Sequence, residues 1–344
     1  MWWVLVAGLG LAEDGRTVTV YFATNREWVD DGLRSGFNAR DAEKLSWGSV
    51  EVQENGSRLM GELKPLVPGV AQRMTPELTL GRIAEPGLPV VMLVHGYNTT
   101  WSFAVKEAAQ LALDLQDQGT QVVPVLYSWP SGGLIRYTAD ENSASRSITR
   151  FTTVLDDVVE RVPDGNVNLV AHSMGARVVS AAIHELWQRE TNQPDHHLGN
   201  IVLASADIDA LEFQERYLLN VLASGARTTL YVTENDRALS LSERLHGGYQ
   251  RLGQTGMGAA HDRLEVIDTG PLDQGATRHS TFRESPEALG DLARVLRGES
   301  CDSRGLIARE AGWTFKPPLP PPPKPKTRPS PPSSDDPPGD PGHP

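Results

Sequence analysis

The chain has 344 residues, a net charge of −12, 39% hydrophobic residues and 22% charged ones. That is a soluble globular composition with room for one large domain or two ordinary ones, and its acidic balance speaks against nucleic acid or an anionic membrane surface as the main partner. The single cysteine, Cys301, excludes an internal disulfide and a Cys-based metal cluster.

Met1 to Ala12 is apolar but too short to span a membrane. Gly10-Leu11-Ala12 has the small-x-small form of a cleavage site, yet the positively charged start of a signal peptide is missing. Residues 1–16 are read as an apolar leader: the remnant of a signal segment that starts upstream, or a buried or frayed end. The expected compartment is the cytoplasm, with export the alternative if the leader belongs to a signal peptide.

From Thr17 onward, strand-like and helix-like patterns alternate. Thr17–Ala23, Val50–Gln53 and Arg58–Leu63 read as strands. Pro89–Val94 is a continuous apolar run, as in a strand buried on both faces. Ala104, Ala108, Leu111, Ala112 and Leu115 then fall on one face of a helix. Gln121–Tyr127 is a strand, and residues 143 to 162 are helical. Asn166–Ala171 is a strand, followed by a helix with Val179, Ala182, Ile183 and Leu186 on one face. Strands Ile201–Ser205, Thr228–Thr233 and Leu264–Asp268 follow, with a helix over Ala210–Leu222 after the first of them. Ser285-Pro286 opens a last helix to Leu296 as N-cap and first-turn residue.

Repeated βα units predict an α/β fold over residues 17–315, a mostly parallel central sheet with helices on both faces. Half of the residues from Pro317 to Pro344 are proline. Residues 316–344 are therefore read as a disordered, Pro-rich tail of polyproline II character, with a protein partner for PPLPPPPKPK as a secondary reading.

In an open parallel sheet, functional groups collect in the loops at the carboxyl ends of the strands. That rule sorts the polar residues. VNLVAHSMGARVVS places Ser173 between a strand and a helix, the setting of a nucleophile elbow. The elbow needs small residues two before and two after the serine; here they are Ala171 and Gly175. The competing reading of Ser173 is a helix N-cap.

A serine needs a base, and the base needs an orienting acid. Of the histidines after Ser173, His184 lies within the next helix. His196, His197 and His261 precede strands, and His343 is in the tail. His279 follows the last strand on the same edge as Ser173, with His246, in a Gly-rich loop, a distant second. For the acid, Asp236 follows strand Thr228–Thr233, and Asp207 is the alternative. Glu234 and Asp268 are less favoured, and any of these aspartates also suits helix capping. The oxyanion donors are expected to be the N–H groups of Met174 and of Tyr97, in the VHGYN loop where Gly96 allows close approach. In the plainer reading of that loop, Asn98 caps the following helix.

With these residues in place, the chain resembles the α/β-hydrolase superfamily, and within it a bacterial esterase/lipase-like family known only as a domain of unknown function. The matching stretches are VYFATNR, VHGYN, YSWPSGG, YTADENSASRS, NLVAHSMGARVV, ASADID, YVTENDRALSLS and RHSTF, spanning about Val18 to Arg297. The resemblance implies an α/β-hydrolase fold and a Ser-His-acid triad without a cofactor or metal. It assigns no triad role to Trp129 or Tyr137, which are read either as pocket walls or, for Trp129, as core.

The expected function is a serine hydrolase, a carboxylesterase by first choice, acting on a small-molecule ester or acyl substrate. The same triad serves acyl transfer and thioester or amide hydrolysis, and a non-catalytic binding module of the same fold is the reading from another class. No H-E-x-x-H, P-loop or dinucleotide fingerprint is present.

Overall fold

A computed structural model describes residues 15–30, 35–63, 65–132, 137–189, 197–255, 263–272 and 276–317. Most of the leader and of the Pro-rich tail, together with His196, His261 and His343, lie outside them. The first half comprises β1 (Thr17–Asp30), β2 (Ser35–Glu54), β3 (Leu66–Pro68), β4 (Gln72–Met74), α1 (Pro76–Ala84), β5 (Val90–Val94), α2 (Trp101–Asp117), β6 (Val123–Ser128) and α3 (Tyr137–Arg161). Next come β7 (Val167–His172), α4 (Gly175–Arg189), β8 (Asn200–Ala204), α5 (Ala210–Glu212), α6 (Leu218–Ala223), β9 (Arg227–Val232) and α7 (Arg237–Leu245). The chain continues through α8 (Leu252–Thr255), β10 (Leu264–Asp268), α9 (Thr281–Glu284), α10 (Pro286–Leu296), β11 (Ile307–Arg309) and β12 (Gly312–Thr314).

The strands form one sheet in the order β11-β12-β10-β9-β8-β7-β5-β6-β1-β2-β3, with β4 also paired to β2. Pairing is parallel from β12 to β1 and antiparallel at both margins. This is the mixed, mostly parallel sheet of an α/β-hydrolase fold. All five residues of β5 and all six of β7 are buried, which explains why β5 reads as an unbroken apolar run. One core lies between the sheet and α3, α4 and α6, the other between the sheet and α2 and α10. Each large apolar side chain in these layers contributes about 1.5–3 kcal/mol by leaving water.

The chain leaves β5 toward β6 and then returns to place β7 on the other side of β5. A switch of this kind opens a crevice at the carboxyl ends of the two strands. The HGYN loop after β5 and Ser173 after β7 both lie there.

Several local expectations are corrected. Arg58–Leu63 forms no strand: Gly61 has φ 83°, and Arg58 is drawn into buried ion pairs with Glu54 and Asp114. Helix α3 starts at Tyr137, ahead of the expected start at residue 143. The helix read over Ala210–Leu222 contains a π turn at Phe213–Tyr217. Helix α7 and the short strands β11 and β12 are additional. Among the described residues, no helix is long and apolar enough to cross a membrane.

Candidate active site

Strand β7 ends at His172 and α4 starts at Gly175, so Ser173 and Met174 make the whole turn. Ser173 has φ 54°, a left-handed conformation that non-glycine residues seldom adopt. Backbone bonds hold it there. Its N–H donates to the Ala204 carbonyl at 3.0 Å, and its carbonyl accepts from Ala176 and Asp207, each at 3.1 Å. A Cβ at position 175 would stand 2.3 Å from the Val94 carbonyl oxygen, so the end of β5 requires glycine there. At position 171 the methyl is fully buried within the sheet, between the partners Val94 and Leu203. The helix-cap reading of Ser173 does not describe the turn, because α4 starts at Gly175 and Met174 holds the cap position.

His279 follows Arg278, which also has a positive φ of 57°. The His279 Nδ1–H donates to Asp236 Oδ2 at 2.7 Å, and the Ser173 hydroxyl donates to Nε2 at 2.8 Å. The tautomer follows from these partners, since Asp236 can only accept. Asp236 is fully buried, while the imidazole is 16% exposed. Its other oxygen, Oδ1, caps α7 by accepting from the Ala238 and Leu239 N–H groups at 2.9 and 3.0 Å. One carboxylate thus both caps the helix and holds the imidazole. Ser173 and His279 open on a cavity of about 270 Å³.

The other candidates take no part in this relay. Asp207 accepts from the Tyr137 and Ser242 hydroxyls, each at 2.6 Å, and from Arg251 Nε at 2.9 Å. Burial alone would raise its pKa, but Arg251 and the two hydroxyls outweigh it and hold the carboxylate below the usual range. Asp209 caps α5. Glu234 is exposed, and Asp268 bonds the Gly270 N–H and Thr314. His184 faces Asn220, and His197 faces Asp164. His246 ends α7, bonded to the Ser242 carbonyl and beside Glu141. Among the described residues, no group of three or more His, Cys, Asp or Glu is placed to hold a metal ion.

The HGYN loop packs directly on the elbow: a Cβ on Gly96 would lie 2.9 Å from that of Ser173 and 3.1 Å from the His172 carbonyl oxygen. The N–H groups of Tyr97 and Met174 belong to the two segments that meet at this contact. Asn98 does not cap α2; Thr100 does, accepting from the Phe103 N–H. Asn98 instead has φ 55° and donates its N–H to Asp140.

Behind the loop is a buried polar knot that the sequence did not reveal. Register shifts in β1 on both sides of Arg26 mark a bulge, and its guanidinium is buried. It donates to the carbonyls of Thr99 (2.7 Å), Ser131 (3.0 Å) and Asn38 (3.2 Å), and to Ser128 Oγ (2.8 Å). Burial pulls its pKa down to about 9, against the pull of Asp140, so it remains a cation at neutral pH. Asp140 accepts from Ser131 Oγ, which in turn accepts the Thr99 N–H. Trp129 is not a cavity wall: it stacks on His95 and donates to its carbonyl at 2.9 Å. Tyr137 does line the cavity.

His172, beside Ser173, holds a place that the sequence did not reveal. Its buried Nε2–H donates to the His279 carbonyl at 3.0 Å, fixing the backbone of that loop. Burial, with the neighbouring His279 and Arg283, holds it neutral far below the ordinary histidine range. Its folded pKa is depressed, so its contribution is complete above the unfolded value near 6.5 and is lost as pH falls. Raised carboxyls such as Glu107 and Asp114 act in the opposite direction, so the test is a difference. Between pH 7 and pH 5, wild type should lose about 2 kcal/mol more stability than His172→Gln, read from urea midpoints. Equal losses would show that His172 takes up its proton without unfolding.

The chain matches, over residues 78–296, the family described as alpha/beta hydrolase of unknown function (DUF900). It is 21% identical over 194 residues to an uncharacterized protein, alr1448, of Nostoc sp., with 48% of this chain and 50% of that protein covered. The chain thus spans about half the length of that curated relative. Among solved structures it is similar to a hyperthermophilic esterase from the archaeon Pyrobaculum calidifontis, with a TM-score of 0.36, 11% identity, and 73% of this chain and 81% of that chain covered. It is also similar to EstE1, a thermostable carboxylesterase cloned from a metagenomic library, with a TM-score of 0.36, 13% identity, and 73% and 84% covered. The family match extends over more than half of the chain, from α1 to the end of α10, and the chain belongs to this family of α/β-hydrolases.

Proposed function

We propose that the protein is a serine hydrolase of carboxylic esters, with Ser173 as nucleophile, His279 as general base and acid, and Asp236 as the group that orients the imidazole. The observation that carries this reading is the unbroken relay at 2.7 and 2.8 Å from a buried carboxylate to a hydroxyl that opens on a cavity. Ser173 Oγ bonds to the ester carbonyl carbon while His279 Nε2 takes its proton. The resulting oxyanion accepts from the N–H groups of Tyr97 and Met174. The bond to the alcohol oxygen then breaks, and His279 returns the proton to that oxygen. A water attacks the acyl-enzyme, again losing its proton to His279, and the acid leaves as Ser173 is restored.

The two acids separate on a p-nitrophenyl ester. Asp236→Asn keeps an acceptor for the α7 cap but presents an amide to His279 Nδ1, and kcat should fall by roughly 10,000-fold. Asp207→Asn disturbs Arg251 and Tyr137 but not the relay, and should retain kcat within about tenfold. Equal losses in the two variants would reject the assignment.

A further inference from the structure

One wall of the Ser173 cavity takes no part in the relay. Helix α7 is capped by Asp236, the residue bonded to His279, and runs away from it. Ala238, Leu241 and Leu245 line the cavity, and their spacing of three and four residues puts them on one face. Leu241 and Leu245 are 60% and 59% exposed, while Leu239 and Ser242 of the same helix are buried. A helix that turns two leucines outward beside a reactive hydroxyl keeps apolar surface for whatever enters the cavity.

Contacts among the lining residues fall into two groups. On the imidazole side, Arg283 bonds Ser280 at 3.1 Å, lies 3.4 Å from Glu107 and sits over the Phe103 ring. On the other side, Tyr137 packs against Tyr97 and reaches Ser242 of α7 at 2.9 Å. His279 must protonate the leaving oxygen, so the alcohol belongs on the imidazole side. The acyl chain is left to the side formed by the tyrosines and α7.

We propose that Ala238, Leu241 and Leu245 form a rail for the acyl chain, and that the substrate class is esters of medium-length apolar acids. This rests on the serine hydrolase reading above. The rail spans two helical turns, about 10 Å, the length of an extended chain of roughly eight carbons. Each methylene that comes to lie half sheltered on it raises reactivity about twofold.

The test uses ethyl p-nitrophenyl alkylphosphonates with alkyl chains from two to twelve carbons. Ser173 Oγ bonds to phosphorus, the bond to p-nitrophenolate breaks, and the serine proton passes to His279. The aromatic leaving group occupies the alcohol side and the alkyl chain the acyl side. In wild type the second-order rate of modification should rise on the order of 50-fold from ethyl to octyl and then level off. The Leu241→Ser/Leu245→Ser variant should flatten that slope at least fivefold. Leu219→Ser, at a 76% exposed leucine outside the cavity, should leave it as in wild type. A flat slope in wild type with Ser173 modified, or an unchanged slope in the double variant, overturns the rail and leaves the hydrolase reading standing. No modification of Ser173 by any member overturns both.

Discussion

Ser173→Ala should lower kcat on p-nitrophenyl butyrate by at least about 10,000-fold while leaving the protein as stable as wild type to within about 1 kcal/mol. The two effects separate because the substitution removes one atom and keeps the frame. The elbow is held by the backbone bonds to Ala204, Ala176 and Asp207, none of which uses the hydroxyl. The lost hydroxyl made one bond, to a partly exposed imidazole. KM should change little, because the cavity walls are untouched. A fluorophosphonate probe should label wild type at Ser173 and not the variant. Turnover retained by a folded Ser173→Ala protein would remove the serine from the mechanism.

Arg26→Met should destabilise the fold by about 3–5 kcal/mol, read from urea midpoints. The guanidinium is the donor for three backbone carbonyls on three separate segments: Asn38 in β2, Thr99 after the HGYN loop and Ser131 after β6. Methionine fills much of the volume and removes the donor from all three, those of Thr99 and Ser131 in a buried place. A second effect should accompany the first. Thr99 is two residues from Tyr97, so loss of its anchor loosens the loop expected to bind the oxyanion. At temperatures where the variant is folded, kcat should fall at least tenfold with KM changed less than threefold. Arg26→Lys, with a single point charge in place of a planar fork, should fall between the two in both measures. Undiminished stability in Arg26→Met would mean that the knot rearranges around other donors.

The parts of the site legible in the sequence were those that follow from strand direction. Ser173, Asp236 and His279 come from different loops, yet a parallel sheet sends every such loop to one edge, so chain order alone could shortlist them. Residues whose role depends on local backbone geometry were not legible. Arg26 lies just past the Thr17–Ala23 run that reads as a strand, and the bulge in the longer β1 turns it inward. His172 occupies the variable position of the elbow pattern, and its bond to the His279 carbonyl depends on two loops meeting. Arg58–Leu63 resembled a strand through Leu59, Met60 and Leu63, although Leu59 is 71% exposed. Strands of three residues such as β11 and β12 carry too little pattern to recognise. Asp236 showed the opposite ambiguity: capping and orienting were weighed as rivals, and its two oxygens do one each.

The contacts at Gly96 and Gly175 have a kinetic consequence. The loop after β5 and the turn after β7 interlock so closely that neither glycine has room for a side chain. More than seventy residues separate the two glycines, including all of α2, β6 and α3. During refolding, therefore, no early species that lacks β7 docked against β5 can position both the hydroxyl and the facing amides. On the serine hydrolase reading, activity should reappear no earlier than the docking of β7 on β5, and so serve as a clock for that step.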